Sequence, residues 1–206
     1  MAKMTDDDGR APDIGTRIRL LDLSVLSNNH YVLRKAEFDF RRRDGGWQRQ
    51  IRESYDVGDG AAVLPMDRAR SLVLLIRQFR WPAFEHGYPD LLIEAIAGKL
   101  DGDDPERCAI REAMEEAGIH IENLTRAFHC FMSPGAMKER LSLFVADYDS
   151  AAAHAPGGGN EQEGEDIGIV ELPLAAALEM VMRGQIIDAK TILLLQWAAL
   201  NCPGAA

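Results

Sequence analysis

The stretch "DDPERCAIREAMEEAGI", residues 103–119, constrains the chain more than any other. Asp103 or Asp104 can cap a helix, Pro105 suits its first turn and Gly118 suits the position just past its end, so the spacing predicts a helix over Pro105–Ala117. Apolar Cys108, Ile110 and Ala113 alternate with acids around it, which leaves one face charged. Strand-like runs precede it ("GAAVLPM", "SLVLLIRQFRW") and follow it ("RAFHCFMSPG", "RLSLFVADYD"), and two amphipathic helical runs close the chain ("LPLAAALEMVMRG", "DAKTILLLQWAALN"). That order of strands, helix, strands and helices predicts an α/β fold, an α/β/α sandwich around a mixed sheet.

Upstream, "YVLRKAEFDF" and "WQRQIRESY" flank an Asp-Gly-Gly turn, as a β-hairpin requires. The expected division is a tail over residues 1–16, a small N-terminal antiparallel β element over 17–57 and the main domain over 58–202. The segment "SAAAHAPGGGNEQEGED", from Ser150, reads as a mobile acidic loop. No internal repeat is visible.

With 206 residues, 47% of them hydrophobic, one domain with an accessory element can bury a real core. The net charge of -10 disfavours nucleic acid or an anionic membrane as partner. Arg34, Lys35, Arg49 and Arg52 lie near "RRRDGG", but strand alternation puts many of these cations on one solvated face without an aromatic platform. Three cysteines, Cys108, Cys130 and Cys202, make neither a C-x-x-C pair nor a disulfide framework, which suits a reducing cytoplasm. The polar, acidic N-terminus is unlike a signal peptide, and no apolar run approaches membrane-spanning length. The five histidines show no ligand spacing, and His129 reads as a packed or hydrogen-bonded strand residue. Ile192–Leu195 and Trp197–Leu200 read as core, with a surplus that could equally pack a dimer.

On a helix Glu112 and Glu116 project side by side, with Glu115 on the flank. Their repulsion costs the helix a little, and a bound divalent cation would more than reverse it; oxygen-only ligands point to magnesium or manganese. Taken bare, an E-x-x-E-E string fits a solvated acidic face better than a metal site.

The string is not bare. Gly98, Asp103, Arg111, Glu112, Glu115, Glu116, Gly118 and Ile119 resemble in order the box of the Nudix hydrolases, G-x5-E-x7-R-E-U-x-E-E-x-G-U with U aliphatic. Two departures are visible: the first spacer has four residues, and the first acid is Asp. The resemblance implies hydrolysis of a nucleoside diphosphate linked to another group. It implies Glu112 and Glu116 as main magnesium ligands with the carbonyl of Ala97, Arg111 holding the carboxylates, and Glu115 assisting.

Beyond the box, "LIRQFR" and "MSPG" with Pro134 resemble the branch that cleaves ADP-ribose and nucleotide sugars, and more particularly "RESYD", "RQFRWPAF", "EAIAGKLDGDDPE", "SPGAMKE", "GGGNEQEGEDIGIVELPLAAALEM" and "IIDAKTILLL" resemble the GDP-mannose pyrophosphatase subgroup, from about Tyr31 to Leu195. That subgroup forms homodimers, releases GMP and mannose 1-phosphate, and shares its Pro134 signature with ADP-ribose pyrophosphatases, whose products are AMP and ribose 5-phosphate. The resemblance implies Glu165 as base and further magnesium contact, with Glu161 and Glu163 as competitors in the same loop. Arg80, Gly98, Lys99, Glu139 and Lys190 would bind substrate beside Ala97. Tyr31, Arg52 and Glu53 of the N-terminal element would reach across to the other subunit's nucleotide. Ile51 stands where the subgroup leads one to expect Lys, and Gly164 where it leads one to expect an acid. A reading of another class is a non-catalytic Nudix-fold binding module; the presence of both Glu112 and Glu116 argues against it.

Overall fold

The computed structural model describes residues 13–152, 154–160 and 164–202; residues 1–12, the body of the expected tail, lie outside them. The chain divides into two compact units, Met1–Val57 with Ser133–Lys138, and Gly58–Met132 with Glu139–Ala206.

In the first unit, strands β1 (Ile18–Asn28), β2 (Val32–Arg41) and β3 (Trp47–Asp56) pair antiparallel in that order. The β2–β3 turn forms because Gly45 takes φ 85° while Asp44 Oδ1 accepts the Gly46 N–H at 2.9 Å. Arg49 lies opposite Asp39 and donates to it at 2.7 Å and to Glu37 at 2.7 Å, so this cation is paired across the strands. Residues 14–17 are a 3₁₀ turn rather than tail, because the Asp13 carboxylate accepts the Gly15 N–H. Strand β1 escapes the sequence pattern because register shifts at Leu20/Asp22 and Val25/Ser27 break its alternation. No residue of the three strands is fully buried, and Leu20, Leu23 and Val25 are more than half exposed.

The second unit is a seven-stranded mixed sheet of order β10-β5-β4-β9-β8, with β6 paired to β5 and β7 to β4. Its strands are β4 (Gly60–Asp67), β5 (Leu72–Gln78), β6 (Leu92–Glu94), β7 (Ile96–Lys99), β8 (Glu122–Phe131), β9 (Arg140–Asp147) and β10 (Gly168–Pro173). β4 runs parallel to β9, and all eight of its residues are buried, as a central strand covered on both faces requires. Ala61 and Val63 pack with helix α2 (Pro105–Ala117) through Cys108, Ala109, Ala113 and Ala117. Ala62, Leu64 and Met66 pack toward α3 (Leu174–Met182) and α4 (Ala189–Asn201) through Leu174, Ala177, Leu194 and Leu195. The architecture is the α/β/α sandwich.

Several local expectations are corrected. The strand expected to run through Trp81 stops at Gln78, because Pro82 favours a helical turn, α1 (Trp81–Glu85). β8 ends at Phe131, and Ser133–Met137 turns back on the Ser133 carbonyl, so "MSPG" is not strand. The inward stripe of α2 follows the four-residue spacing of Ala109, Ala113 and Ala117, which leaves Ile110 47% exposed. Leu200 is 84% exposed, because two residues past Ala198 it lies about 200° around α4 from the buried stripe. The described part of the acidic loop is tied to α2, and its last residues lead into β10, which the sequence reading left out of the sheet.

Candidate functional site

Helix α2 starts where the Asp104 carboxylate accepts the N–H groups of Glu106 (3.1 Å) and Arg107 (3.0 Å), so the cap is Asp104 and not Asp103. It ends at Gly118, φ 65°, whose N–H donates to the Met114 carbonyl at 3.0 Å. A side chain there would overlap the Ala155 carbonyl. The acidic loop satisfies the helix's last carbonyls: Gly159 N–H donates to Glu115 O at 3.2 Å, Gly158 N–H to Glu116 O at 2.9 Å, and Ala155 N–H to Gly118 O at 2.9 Å. The loop that carries Glu165 therefore docks on the carboxylate end of α2. The half-buried Glu165 is held by the Asn160 N–H, which donates to its Oε2 at 2.9 Å. Glu161 and Glu163 lie outside the described residues.

Glu112 and Glu116 occupy the inner side of α2, 9% and 1% exposed. Glu116 Oε2 accepts the Ala97 N–H at 3.3 Å, and Arg111 donates to Glu112 at 2.8 Å and to Glu115 at 3.4 Å. Arg111 also donates to the Lys99 carbonyl at 3.1 Å and lies 3.5 Å from Asp103, so it ties helix, loop and β7 together. The Cys108 thiol donates to the same carbonyl from beneath at 3.2 Å. Gly98 has no room for a side chain: a methyl would overlap the Glu112 carboxylate and stand 2.6 Å from its Cγ. Burial pushes the Glu112 carboxyl up to about 7, with Glu115 and Glu165 adding to the rise and Arg111 opposing it. Burial, then Glu112 and Glu165, push Glu116 up to about 8.

These residues fit a divalent cation. Two adjacent carboxylates are held out of water with their charge only partly compensated, beside β7, whose Ala97 N–H reaches Glu116. Among the described residues no group of three or more His, Cys, Asp or Glu side chains could hold an ion alone.

A second cluster contains an acid that the sequence reading passed over. Glu94, 2% exposed at the end of β6, accepts two bonds from Arg80 (Nε 3.0 Å, Nη2 3.2 Å) and one from Lys190 Nζ at 2.6 Å. Lys190 also pairs with Asp188 at 3.0 Å. Burial works against the Glu94 charge, but Lys190 and Arg80 outweigh it and hold the carboxyl below its ordinary value. Burial likewise opposes the charge on Lys190, and Glu94 and Asp188 overcome it. The Thr191 hydroxyl, at the start of α4, donates to Asp188 at 2.6 Å and accepts the Ala95 N–H at 2.7 Å, which sets Lys190 against β6. Arg80 and Lys190 are thus not isolated surface cations but share one buried carboxylate. The signal in the sequence was a lone acid inside the apolar run "LLIEAIAG". Glu139 is half-buried, and burial raises its carboxyl against the opposing pull of Lys190. Gln78, 4% exposed and two residues before Arg80, keeps a side-chain N–H₂ without a hydrogen-bond partner.

In the N-terminal unit, Tyr31 sits edge-on to Tyr55 at 5.4 Å between ring centroids. Arg52 and Glu53 are exposed neighbours on β3, so alternation sends their side chains to opposite faces; Glu53 lies across from Lys35. Pro134 belongs to the Ser133–Lys138 segment of the same unit, where Ala136 O accepts the Tyr55 N–H at 2.8 Å. His129 pairs with the Ser142 hydroxyl at 3.0 Å, a packing role.

Two family models match the chain: the GDP-mannose pyrophosphatase NudK N-terminal domain over residues 17–55 and the NUDIX domain over residues 56–193. A GDP-mannose pyrophosphatase of Pectobacterium atrosepticum is 45% identical over 185 residues, covering 89% of this chain and 95% of that one. One of Cronobacter sakazakii is 46% identical, covering 89% and 96%. A crystal structure of an ADP compounds hydrolase superposes with TM-score 0.69 at 18% identity, covering 92% of this chain and 97% of that one, and shares the fold. The chain belongs to the Nudix hydrolase family, and within it stands with the GDP-mannose pyrophosphatases.

Proposed function

We propose that this enzyme hydrolyses the diphosphate of a nucleotide sugar, GDP-mannose before all others, to GMP and mannose 1-phosphate, with Mg²⁺ as its working ion and Mn²⁺ as a substitute. The observation that carries the reading is the buried pair Glu112 and Glu116. Nudix hydrolases use divalent metal ions. The ion would be held by both carboxylates and the Ala97 carbonyl, with Glu165 as a further contact, and would supply positive charge to neutralise the diphosphate and the charge that develops on it.

The remaining work falls to the chain's own groups. Arg111 keeps Glu112 and Glu115 in place, while Gly98 leaves space for the Glu112 carboxylate. Arg80 and Lys190 receive diphosphate oxygens, Arg80 with N–H groups that its bonds to Glu94 leave unspent. Gly98 and Lys99 line the approach on β7, and Glu139, just before β9, faces Lys190. Glu165 takes a proton from the water that attacks phosphorus. Its loop docks on the helix of Glu112 and Glu116, which supports that role.

Tyr31, Arg52 and Glu53 serve the nucleotide of the other subunit in a homodimer whose N-terminal elements are exchanged. Support comes from the exposed apolar residues of β1, which one chain leaves uncovered. A reducing cytoplasm suits the three free cysteines. Among the described residues no helix is long and apolar enough to cross a membrane. ADP-ribose is the second substrate reading, kept because the Pro134 signature is shared with ADP-ribose pyrophosphatases. The test is a panel of GDP-mannose, ADP-ribose, ADP-glucose, NADH and diadenosine polyphosphates with Mg²⁺, products separated by chromatography. GDP-mannose should give the highest kcat/KM. Cleavage of none would return the chain to the class of non-catalytic nucleotide-binding modules.

A further inference from the structure

We propose that Glu94 is a positioning residue for the substrate's diphosphate, fixing the Arg80 guanidinium and the Lys190 ammonium side by side as a two-pronged cationic fork. This rests on the diphosphatase reading above. Left alone, two cations in a confined site repel and swing apart; a carboxylate between them reverses the sign of that interaction. Glu94 spans both, bidentate to Arg80 at 3.0 and 3.2 Å and to Lys190 at 2.6 Å. The gradient of exposure gives the trio its direction: the side chain of Glu94 is 3% exposed, Lys190 11% and Arg80 42%. An incoming anion meets the cations and never the acid.

A merely structural role does not account for the arrangement. The junction of β6 with α4 is already made by the Ala95 N–H donating to Thr191 Oγ1 at 2.7 Å and by buried Ile186, Leu194 and Leu195. A buried ionic trio is a poor stabiliser beside apolar side chains of the same volume. Donors also remain: arginine has five N–H groups and lysine three, and Glu94 with Asp188 occupies two of each.

The experiment measures KM and kcat for GDP-mannose with Mg²⁺, and calorimetric binding of inorganic pyrophosphate, for wild type, Glu94→Gln, Glu94→Asp, Lys190→Met and the double variant Glu94→Gln with Lys190→Met. Glu94→Gln should weaken pyrophosphate binding and raise KM by about tenfold or more, with a smaller change in kcat. Glu94→Asp, which keeps the charge, should recover part of the loss. In the Lys190→Met background Glu94→Gln should add little, because coupled residues are non-additive. A lowered melting temperature with KM and pyrophosphate binding unchanged in the folded fraction would overturn the proposal, as would fully additive losses. If Glu94→Gln does not fold, Glu94→Asp carries the test by the same two readouts. Should Lys190→Met itself leave KM and pyrophosphate binding untouched, the assignment of the cations fails first, and that outcome is distinct from the failure of Glu94.

Discussion

Replacing Gly98 with alanine separates metal-site geometry from folding. The backbone tolerates the change, since Gly98 is absent from the left-handed conformations that favour glycine. The added methyl would stand 2.6 Å from Glu112 Cγ and overlap the carboxylate beyond it, so Glu112 must retreat by roughly 1 Å or more to reach ordinary contact. The obstacle is the end of a flexible side chain and not backbone, so the fold can absorb it at a cost of about 1 kcal/mol, the scale of an off-rotamer side chain. A shift of about 1 Å in a ligand or reacting group costs on the order of 100-fold in rate. Gly98→Ala should therefore lower kcat/KM about 100-fold and raise the Mg²⁺ concentration at half-maximal activity, while the melting temperature moves by no more than about 2–4 °C. Turnover and Mg²⁺ dependence within a factor of two of wild type would refute the placement of Glu112 as a ligand.

Three further outcomes are expected. Glu165→Gln should cut kcat steeply with a modest change in KM, as loss of a base acting in the transition state requires; if Glu163→Gln does so instead, the base lies at that neighbouring position. In EDTA, stability should fall as pH rises from about 4.5 toward 8. Burial raises the folded-state values of Glu112 and Glu116 to about 7 and about 8, so their contribution is full below the unfolded value and is lost as pH climbs through the folded ones. Melting curves in EDTA that rise with pH across that window would contradict this, and added Mg²⁺ should flatten the dependence. Gln78→Met removes a buried N–H₂ that has no partner, so it should leave stability unchanged or raise it by about 1 kcal/mol; a drop of several degrees in melting temperature would reveal a partner.

What could be read from the sequence divides along physical lines. Helix α2, its caps and its paired carboxylates were legible because Asp104, Pro105 and Gly118 act on residues within one turn of themselves. The buried strands β4, β5 and β9 were legible as apolar runs. Strand β1 was not, because two bulges break its alternation and its apolar residues face outward. β10 was hidden behind the acidic loop that leads into it, and α1 behind a strand-like run ended by Pro82. Glu94 was missed for a different reason: its partner Lys190 is 96 residues away, and only the packing of α4 on the sheet brings them within 2.6 Å. Recognition of Arg80 and Lys190 as cations was therefore local knowledge, while their common anchor belongs to the fold.

The central claim is that Glu112 and Glu116 form a divalent cation site on which hydrolysis depends. It is tested most directly by titrating Mn²⁺ into wild type and Glu116→Gln, following bound ion by electron paramagnetic resonance and turnover of GDP-mannose in the same samples. Wild type should bind the ion and gain activity in step, whereas Glu116→Gln should fold normally, bind the ion at least about tenfold more weakly and lose Mg²⁺-dependent hydrolysis. Near-normal binding and turnover in the folded Glu116→Gln protein would contradict it.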